Sequence, residues 1–376
     1  MTLKEIGKKI LYYLRVIFIG KPKDPNAPKK GFVKEWVDAI VFAVVAASLI
    51  RWAFFEAYTI PTPSMEKSLL VGDFLFVSKL HYGPRTPKTP LQVPLTHQKI
   101  WGTDLPSYSD AVQIPSFRFP GFTSIKNNDV VVFNWPADEG YPTDLKTNYI
   151  KRCIAIAGDT LQIKDTKVYI NGKLGQDPPK MQYQYYLITK ESLNDRIFRS
   201  NNITDYYPIP EGYVVHTLPE TAEKLKHMPF ISQVIMDKQQ AGVGEAQIFP
   251  HNSKFNWNLD FFGPLWIPKK GATIQMTPDN VILYETTIAR YEGVEDVKVV
   301  DGKLWIGGKV ADTYTFQQNY YFMMGDNRHN SLDSRFWGFV PEDHVVGKGF
   351  LIWMSLDKDG KFLNKVRWNR LFNLIE

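Results

Sequence analysis

Two residues, Ser64 and Lys151, stand in sequence surroundings that suit nucleophilic catalysis. Pro61 and Pro63 hold the backbone extended and cannot continue a preceding helix, so a new element begins near Ser64. Lys151 starts a run rich in apolar residues, and an ammonium that is taken out of water has a lowered pKa. Because a neutral lysine can take the proton of a serine hydroxyl, the pair could hydrolyse an acyl bond.

Both residues also have an ordinary structural interpretation. A serine at a helix start commonly caps the helix, with its hydroxyl bonded to the N–H groups of the first turn. A lysine usually lies on the surface with its ammonium in water. Taken one at a time, Ser64 and Lys151 therefore remain open between catalysis and these simpler roles.

A third segment, residues 321–341 (YFMMGDNRHNSLDSRFWGFVP), is dense in turn formers and carries the paired charges Asp333 and Arg335. Its polar groups would be costly to bury unless they met specific partners. His329 and Asp326 also raise a Ser/His/Asp alternative, because such triads occur in several chain orders. Nothing in the sequence places His329 near Ser64, so the alternative stays open.

The element before Ser64 is an apolar segment, WVDAIVFAVVAASLIRWAFF, at residues 36–55. About 20 apolar residues in a helix can cross a bilayer core. Asp38 and Arg51 lie near the two ends, and Trp36 and Trp52 suit the two interfaces. The pattern predicts a transmembrane helix over residues 36–55, with a buried core helix as the alternative.

The positive charge of the chain is confined to its N-terminal end. Residues 1–35 hold nine basic and three acidic residues, which accounts for the whole formal net charge of +6. The remaining residues carry no net charge, which argues against a folded domain that binds nucleic acid. The positive-inside rule predicts that residues 1–35 are cytoplasmic and that the chain beyond the anchor is not. Within this segment we expect an amphipathic surface helix at 10–19 and a loop at 21–30.

After the apolar segment, short apolar runs alternate with Gly, Asn, Asp and Pro, a pattern typical of β structure. Asn171-Gly172 predicts a hairpin turn, and KLWIGGKV at residues 303–310 predicts a second hairpin. Candidate strands are residues 73–78, 129–134, 160–163, 167–170, 280–284, 303–306, 320–324 and 349–354.

We therefore expect a mainly β fold in which an N-terminal transmembrane helix precedes a β-rich catalytic core with a large inserted second domain. Cys153 is the only cysteine, so no intramolecular disulfide can form, and neither cysteines nor histidines cluster as a metal site requires. Residues 366–375 either contact the membrane or pack on the domain. The predicted divisions are a cytoplasmic segment 1–35, a transmembrane helix 36–55, a first core part 56–174, an insertion 175–300 and a second core part 301–376.

Together and in this order behind an anchor, the three segments resemble the type I signal peptidase family, over residues 36–80, 125–175 and 318–350. PTPSM resembles the nucleophile motif of the family and YIKR its lysine motif, which implies Ser64 as nucleophile and Lys151 as general base. The resemblance implies an oxyanion hole formed by the hydroxyl of Thr62 and the N–H of Ser64. GDNRHNSLDSRFWGFVP matches the last motif and implies that Ser331 hydrogen-bonds and orients Lys151.

The resemblance also implies a pocket for small substrate side chains and a set of supporting charged residues. The chain departs from the commonest family sequence at Pro63, Asn128, His329 and residues 154–159, and none of these changes removes a catalytic group. The implied pocket residues are Ile60, Met65, Leu69, Tyr149 and Ile150, and the supporting residues are Arg152, Asp326, Asp333 and Arg335.

The implied function is a membrane-bound serine endopeptidase that removes signal peptides from exported preproteins, without a metal or an organic cofactor. Its implied place is the bacterial cytoplasmic (inner) membrane, crossed once, with the catalytic domain on the extracytoplasmic side. Its expected partners are signal peptides, the lipid bilayer and the nearby protein export channel, and no nucleic acid. The alternatives are a self-cleaving repressor, an inactive membrane-anchored binding protein and a Ser/His/Asp hydrolase.

Overall fold

The computed structural model describes Glu5, Tyr12, residues 31–358, Gly360 and residues 365–376. Most of the predicted cytoplasmic segment 1–35 therefore lies outside the described residues. The same holds for nearly all of the predicted surface helix at 10–19 and for the whole of the predicted loop at 21–30.

Helix α1 (Phe32–Ala53) occupies the apolar segment, and none of its residues is buried. It stops before residue 55 because strand β1 (Phe55–Thr59) begins there. The alternative of a buried core helix is therefore wrong. Within the described part of the chain, no helix combines the length and the apolar character that crossing a membrane requires. The predicted transmembrane helix at 36–55 is thus not confirmed as a membrane span.

The mainly β prediction is confirmed, and an eight-stranded antiparallel sheet carries the candidate site. β-branched and aromatic residues dominate its strands and pack on both faces, so that all five residues of VVVFN in β3 are buried. The strand order is β1-β2-β20-β3-β4-β18-β19, and β21 pairs with β20. The further strands are β2 (Asp73–Ser78), β3 (Val130–Asn134), β4 (Asn148–Ala155), β18 (Tyr320–Met324), β19 (Val340–Pro341), β20 (Val345–Ser355) and β21 (Asn373–Leu374).

Smaller antiparallel sheets surround the main one, in the orders β11-β8-β10-β9, β12-β5-β6-β7, β14-β15-β16 and β13-β17. Both predicted hairpins are confirmed, because β6 pairs with β7 and β15 pairs with β16. Asn171 and Gly172 have φ values of 53° and 77°, as a tight hairpin turn requires. The strands are β5 (Thr160–Lys164), β6 (Lys167–Ile170), β7 (Lys173–Leu174), β8 (Tyr183–Thr189), β9 (Asp205–Ile209), β10 (Gly212–Thr217), β11 (Ile231–Met236), β12 (Phe262–Trp266), β13 (Thr273–Gln275), β14 (Val297–Val300), β15 (Lys303–Ile306), β16 (Lys309–Val310) and β17 (Thr313–Thr315).

The predicted strand at residues 280–284 is wrong, because these residues lie in a helix, α4 (Pro278–Tyr291). Pro278 occupies its first position, and the Thr277 hydroxyl accepts a hydrogen bond from the Asn280 N–H at 3.3 Å. This start signal outweighs the strand preference of the short apolar run that follows. The other α-helices described after residue 31 are α2 (Asp195–Ser200), α3 (Pro219–Lys226) and α5 (Ser334–Trp337).

Strands β8 to β11 lie wholly within the predicted insertion 175–300 and pack with α2 and α3 around a core of their own. We call residues 181–236 the inserted sheet unit. Strand pairing crosses the predicted boundaries further along, since β12 pairs with β5 and β13 pairs with β17. The later part of the predicted insertion is therefore joined to strands outside it.

Candidate active site

Ser64 lies on a short 3-10 helix, Pro63–Met65, directly after the extended chain that leaves β1. Thr62 occupies the N-cap position and Pro63 the first helical position, where its missing N–H costs nothing. The Glu66 N–H closes the turn by donating to the Pro63 carbonyl at 2.9 Å. Since Thr62 holds the N-cap position, the capping role considered for Ser64 is wrong.

Lys151 lies in β4, at the centre of the main sheet, with Val131 of β3 opposite it. Its residue exposure is 4%, so the surface-lysine interpretation is wrong. Its Nζ lies 2.6 Å from Ser64 Oγ, and Ser64 is also buried. This distance is within the hydrogen-bond range that direct proton transfer requires.

Burial lowers the pKa of Lys151 to about 8, because the charged ammonium loses its hydration. The Asp333 and Asp326 carboxylates act in the opposite direction, whereas Arg335 again favours the neutral amine. A lysine with this pKa is about one-tenth neutral at pH 7 and about half neutral at pH 8. Lys151 can therefore act as a proton acceptor near neutral pH.

Two buried ion pairs hold the strand and the loop that meet at Ser64. Arg152 of β4 donates to both carboxylate oxygens of Asp326, at 2.8 and 2.7 Å. Arg335 donates to both oxygens of Asp333, at 2.9 and 2.8 Å. Burial by itself would raise the pKa of the Asp333 carboxyl, but the Arg335 guanidinium holds that pKa below its usual value. The four predicted supporting residues thus form two bidentate pairs, the strongest geometry for such contacts.

Ser331 is buried beside the backbone of the nucleophile turn, with Gly325 between them. A Cβ on Gly325 would lie 2.2 Å from Ser331 Oγ and 2.5 Å from the Ser64 carbonyl oxygen. Only glycine fits there without moving one of the two serines. Among the described residues, Ser331 Oγ makes no hydrogen bond to Lys151. The orienting role assigned to Ser331 therefore stays a prediction.

Three further residues of the site were not predicted from the sequence: Gly325, Asn327 and Ser68. The Asn327 N–H donates to the Ser64 carbonyl at 3.0 Å, and its side-chain amide donates to the Pro63 carbonyl at 3.2 Å. The Ser68 hydroxyl donates to Asp326 at 2.5 Å. The only signal in the sequence was the turn segment GDN, whose polar groups require partners, and only the tertiary fold decides which partners they meet.

Thr62 is exposed and extended, with φ −129° and ψ 154°, and its hydroxyl makes no capping bond. The Ser64 N–H belongs to the first turn of its helix, where N–H groups have no partner inside the helix. Two donors next to the nucleophile are therefore available to a ligand. Their assignment as an oxyanion hole stays a prediction.

Four of the five predicted pocket residues lie together beside the nucleophile. Ile60, Met65 and Leu69 are buried in one apolar cluster, and Ile150 packs against it. Tyr149 belongs to a different cluster, where its ring stacks on Trp135 at a centroid distance of 5.2 Å. The structure therefore groups the aliphatic pocket residues, whereas the Tyr149 ring lies outside that cluster but beside the dyad, with Lys151 Nζ 5.4 Å from the ring centroid.

The side chain of His329 contacts Asp260 and Gln184 rather than the nucleophile Ser64. Its Nε2 lies 2.8 Å from Asp260 Oδ1, and its Nδ1 accepts from the Gln184 N–H at 3.3 Å. Both ring nitrogens are thus occupied, while the carboxylate of Asp326 is held by Arg152. The structure does not assemble the Ser64–His329–Asp326 alternative.

Comparison with known proteins gives a consistent result. Residues 33–218 and 271–354 match a family model described as signal peptidase, peptidase S26. The chain is 27% identical over 335 residues to signal peptidase I of Buchnera aphidicola subsp. Acyrthosiphon pisum, covering 87% of this chain and 77% of that protein. It is 26% identical to signal peptidase I of Aquifex aeolicus, covering 86% and 85%. For signal peptidase I of Helicobacter pylori strain J99 the identity is 25%, covering 92% of each chain.

Proposed function

The chain belongs to the signal peptidase family, peptidase S26, and we propose that it cleaves its substrates with Ser64 as nucleophile and Lys151 as general base. The protein is a signal peptidase, so its reaction is the removal of signal peptides. Membership of this family sets aside the repressor and the inactive binding protein. The observation that supports the dyad best is the 2.6 Å contact between Lys151 Nζ and Ser64 Oγ.

The proposed reaction has two stages that use the same lysine. Neutral Lys151 takes the proton of Ser64 as the hydroxyl oxygen attacks the scissile carbonyl, and then donates that proton to the leaving amine. The product of this stage is an acyl-enzyme on Ser64. Lys151, neutral again, next activates a water that hydrolyses the ester. Burial supports this cycle because it keeps a substantial neutral fraction of Lys151 near pH 8.

We assign the two free donors at the nucleophile turn to the developing oxyanion. The Ser64 N–H and the Thr62 hydroxyl belong to residues at or next to the nucleophile turn, and one oxyanion donor typically contributes about 10²–10³ in rate. The aliphatic cluster of Ile60, Met65, Leu69 and Ile150 would accept only a small side chain. This pocket fits cleavage after an Ala-x-Ala motif.

The pH dependence tests the dyad. We expect the single-turnover cleavage rate of a preprotein to rise with pH through about 8, because the attacking complex requires unprotonated Lys151. Below this value each pH unit should lower the rate about tenfold. The measurement is rapid-quench cleavage in detergent, with the new N-terminus sequenced. A rate that is flat between pH 6 and pH 9 would contradict a lysine base.

We further propose that α1 attaches the enzyme to the bacterial cytoplasmic membrane, with residues 1–35 in the cytoplasm and residues 56–376 outside it. The support is the exposure of its large apolar residues, among them Phe32, Trp36 and Phe42, together with the basic segment before it. This position places the site near the export channel from which preproteins emerge.

The topology has a direct test. Protease added to intact spheroplasts should digest the catalytic domain, whereas a cytoplasmic marker protein should survive. Alkaline carbonate extraction should leave the full chain in the membrane pellet and release a chain that begins after residue 53. Protection of the catalytic domain in intact spheroplasts would contradict the proposed orientation.

A further inference from the structure

The two residues that follow the nucleophile turn are charged and yet buried. Glu66 is 5% exposed and Lys67 is 8% exposed, and their charged atoms lie 3.6 Å apart. The backbone of Lys67 is left-handed, with φ 71°, a conformation that residues other than glycine rarely adopt. Buried charges and an unfavourable backbone persist only where specific partners hold them.

The partner is Thr204, which comes from the inserted sheet unit. Its hydroxyl donates to Glu66 Oε1 at 2.7 Å and accepts from Lys67 Nζ at 2.9 Å. One hydroxyl thus bridges both charged groups, using its donor and an acceptor position. Thr204 directly precedes β9, which pairs with β10 inside the unit, so the position of this hydroxyl is set by the unit.

The same unit also holds the second segment of the site, the loop of residues 326–331. Asp205 accepts a hydrogen bond from the Asn330 side chain at 2.9 Å. Gln182 donates its N–H to the Asp326 carbonyl at 3.0 Å and accepts from the Arg328 N–H at 2.9 Å. Both segments that surround the dyad are therefore fastened to the inserted sheet unit.

We propose that the inserted sheet unit positions the catalytic serine, and that Thr204 is the positioning residue that acts on Ser64 through Glu66 and Lys67. The proposal rests on the Ser64–Lys151 dyad proposed above. Without the bridging hydroxyl, Glu66 and Lys67 lose the contact that ties them to the unit. The short helix Pro63–Met65, which directly precedes them, can then move, and Ser64 Oγ moves away from Lys151 Nζ. A misplacement of about 1 Å can cost about 10² in rate.

The test is a set of variants at one position. Thr204→Val removes the hydroxyl and keeps the shape, and Thr204→Ala removes it without a branched side chain. Thr204→Ser restores it. We expect the Thr204→Val and Thr204→Ala variants to have a kcat at least tenfold below the parent value, with KM within twofold of the parent. The Thr204→Ser variant should recover most of the parent kcat. Thr221→Val in α3 of the same unit is the matched control and should keep the parent kcat. Thermal unfolding confirms that each variant is folded.

A parent-like kcat in both Thr204→Val and Thr204→Ala would overturn the proposal. An equal loss in Thr204→Ser or in Thr221→Val would also overturn it, because the effect would not depend on the bridging hydroxyl. The Ser64→Ala variant shows whether a negative result contradicts only the positioning role of Thr204 or also the proposed Ser64–Lys151 dyad. If Ser64→Ala abolishes cleavage while Thr204→Val does not affect it, only the positioning role is lost; if Ser64→Ala still cleaves, the proposed dyad is lost.

Discussion

Replacing Lys151 with arginine is expected to abolish cleavage at every pH between 6 and 10, by roughly 10⁴-fold or more. The guanidinium stays protonated throughout this range, so it cannot take the proton of Ser64. It is also planar and larger than the ammonium that now lies 2.6 Å from Ser64 Oγ in a buried site. The measurement is single-turnover cleavage of one preprotein across this pH range.

Lys348→Arg provides the control for a lysine-to-arginine change in the same sheet. Lys348 lies in β20 and its Nζ is 2.5 Å from Asp129 Oδ1, a pairing that arginine can keep. We expect its cleavage rate to stay within about twofold of the parent, since arginine can keep the pairing with Asp129 and Lys348 has no part in the proposed proton transfer. A folded Lys151→Arg variant, verified by circular dichroism, that cleaves at the Lys348→Arg rate would rule out Lys151 as the base.

The second large effect is a contrast between Ser64→Ala and His329→Ala. Ser64→Ala removes the nucleophile and should lower the cleavage rate by about 10⁴-fold or more. His329→Ala should keep most of the activity, because His329 contacts Asp260 and Gln184 rather than Ser64. It should instead lower the free energy of unfolding by about 1–3 kcal/mol, since it leaves the buried Asp260 carboxylate without one of its partners.

Rates and unfolding midpoints measured on the same preparations separate the two roles. The dyad predicts that Ser64→Ala loses rate with little change in the unfolding midpoint, whereas His329→Ala loses stability with little change in rate. Comparable losses of rate in both variants would favour the Ser/His/Asp alternative over the dyad.

Local patterns marked Ser64 and Lys151 as candidate residues, but their pairing as a dyad was implied by the family resemblance and not by the patterns themselves. Pro61 and Pro63 limit the backbone around Ser64, and the apolar run that begins at Lys151 predicts a dry environment for its ammonium, although strand β4 itself was not among the predicted strands. The hairpin at Asn171-Gly172 was likewise predictable, since few residues adopt its turn geometry. In each case the physical cause lies within a few residues of the feature.

Features that depend on distant contacts could not be predicted. The space that requires Gly325 exists only because Ser331 and the Ser64 carbonyl meet there. Nothing near Thr204 in the sequence indicates that its hydroxyl meets Glu66 and Lys67, which lie 138 and 137 residues away. The strand predicted at 280–284 is wrong for a local reason, because Thr277 and Pro278 start a helix and this start signal outweighs the short apolar run that follows.

The central claim is that Lys151 loses its proton near the pH at which the enzyme works, and nuclear magnetic resonance can measure this directly. In protein labelled with ¹³C at the lysine Cε, one signal absent from the Lys151→Arg spectrum identifies Lys151. We predict that this signal titrates with a midpoint near pH 8, well below the ordinary lysine value of about 10.4, and that the single-turnover rate has the same midpoint. A Lys151 signal that stays in its protonated position up to pH 10, while cleavage is already at its maximum, would contradict the account.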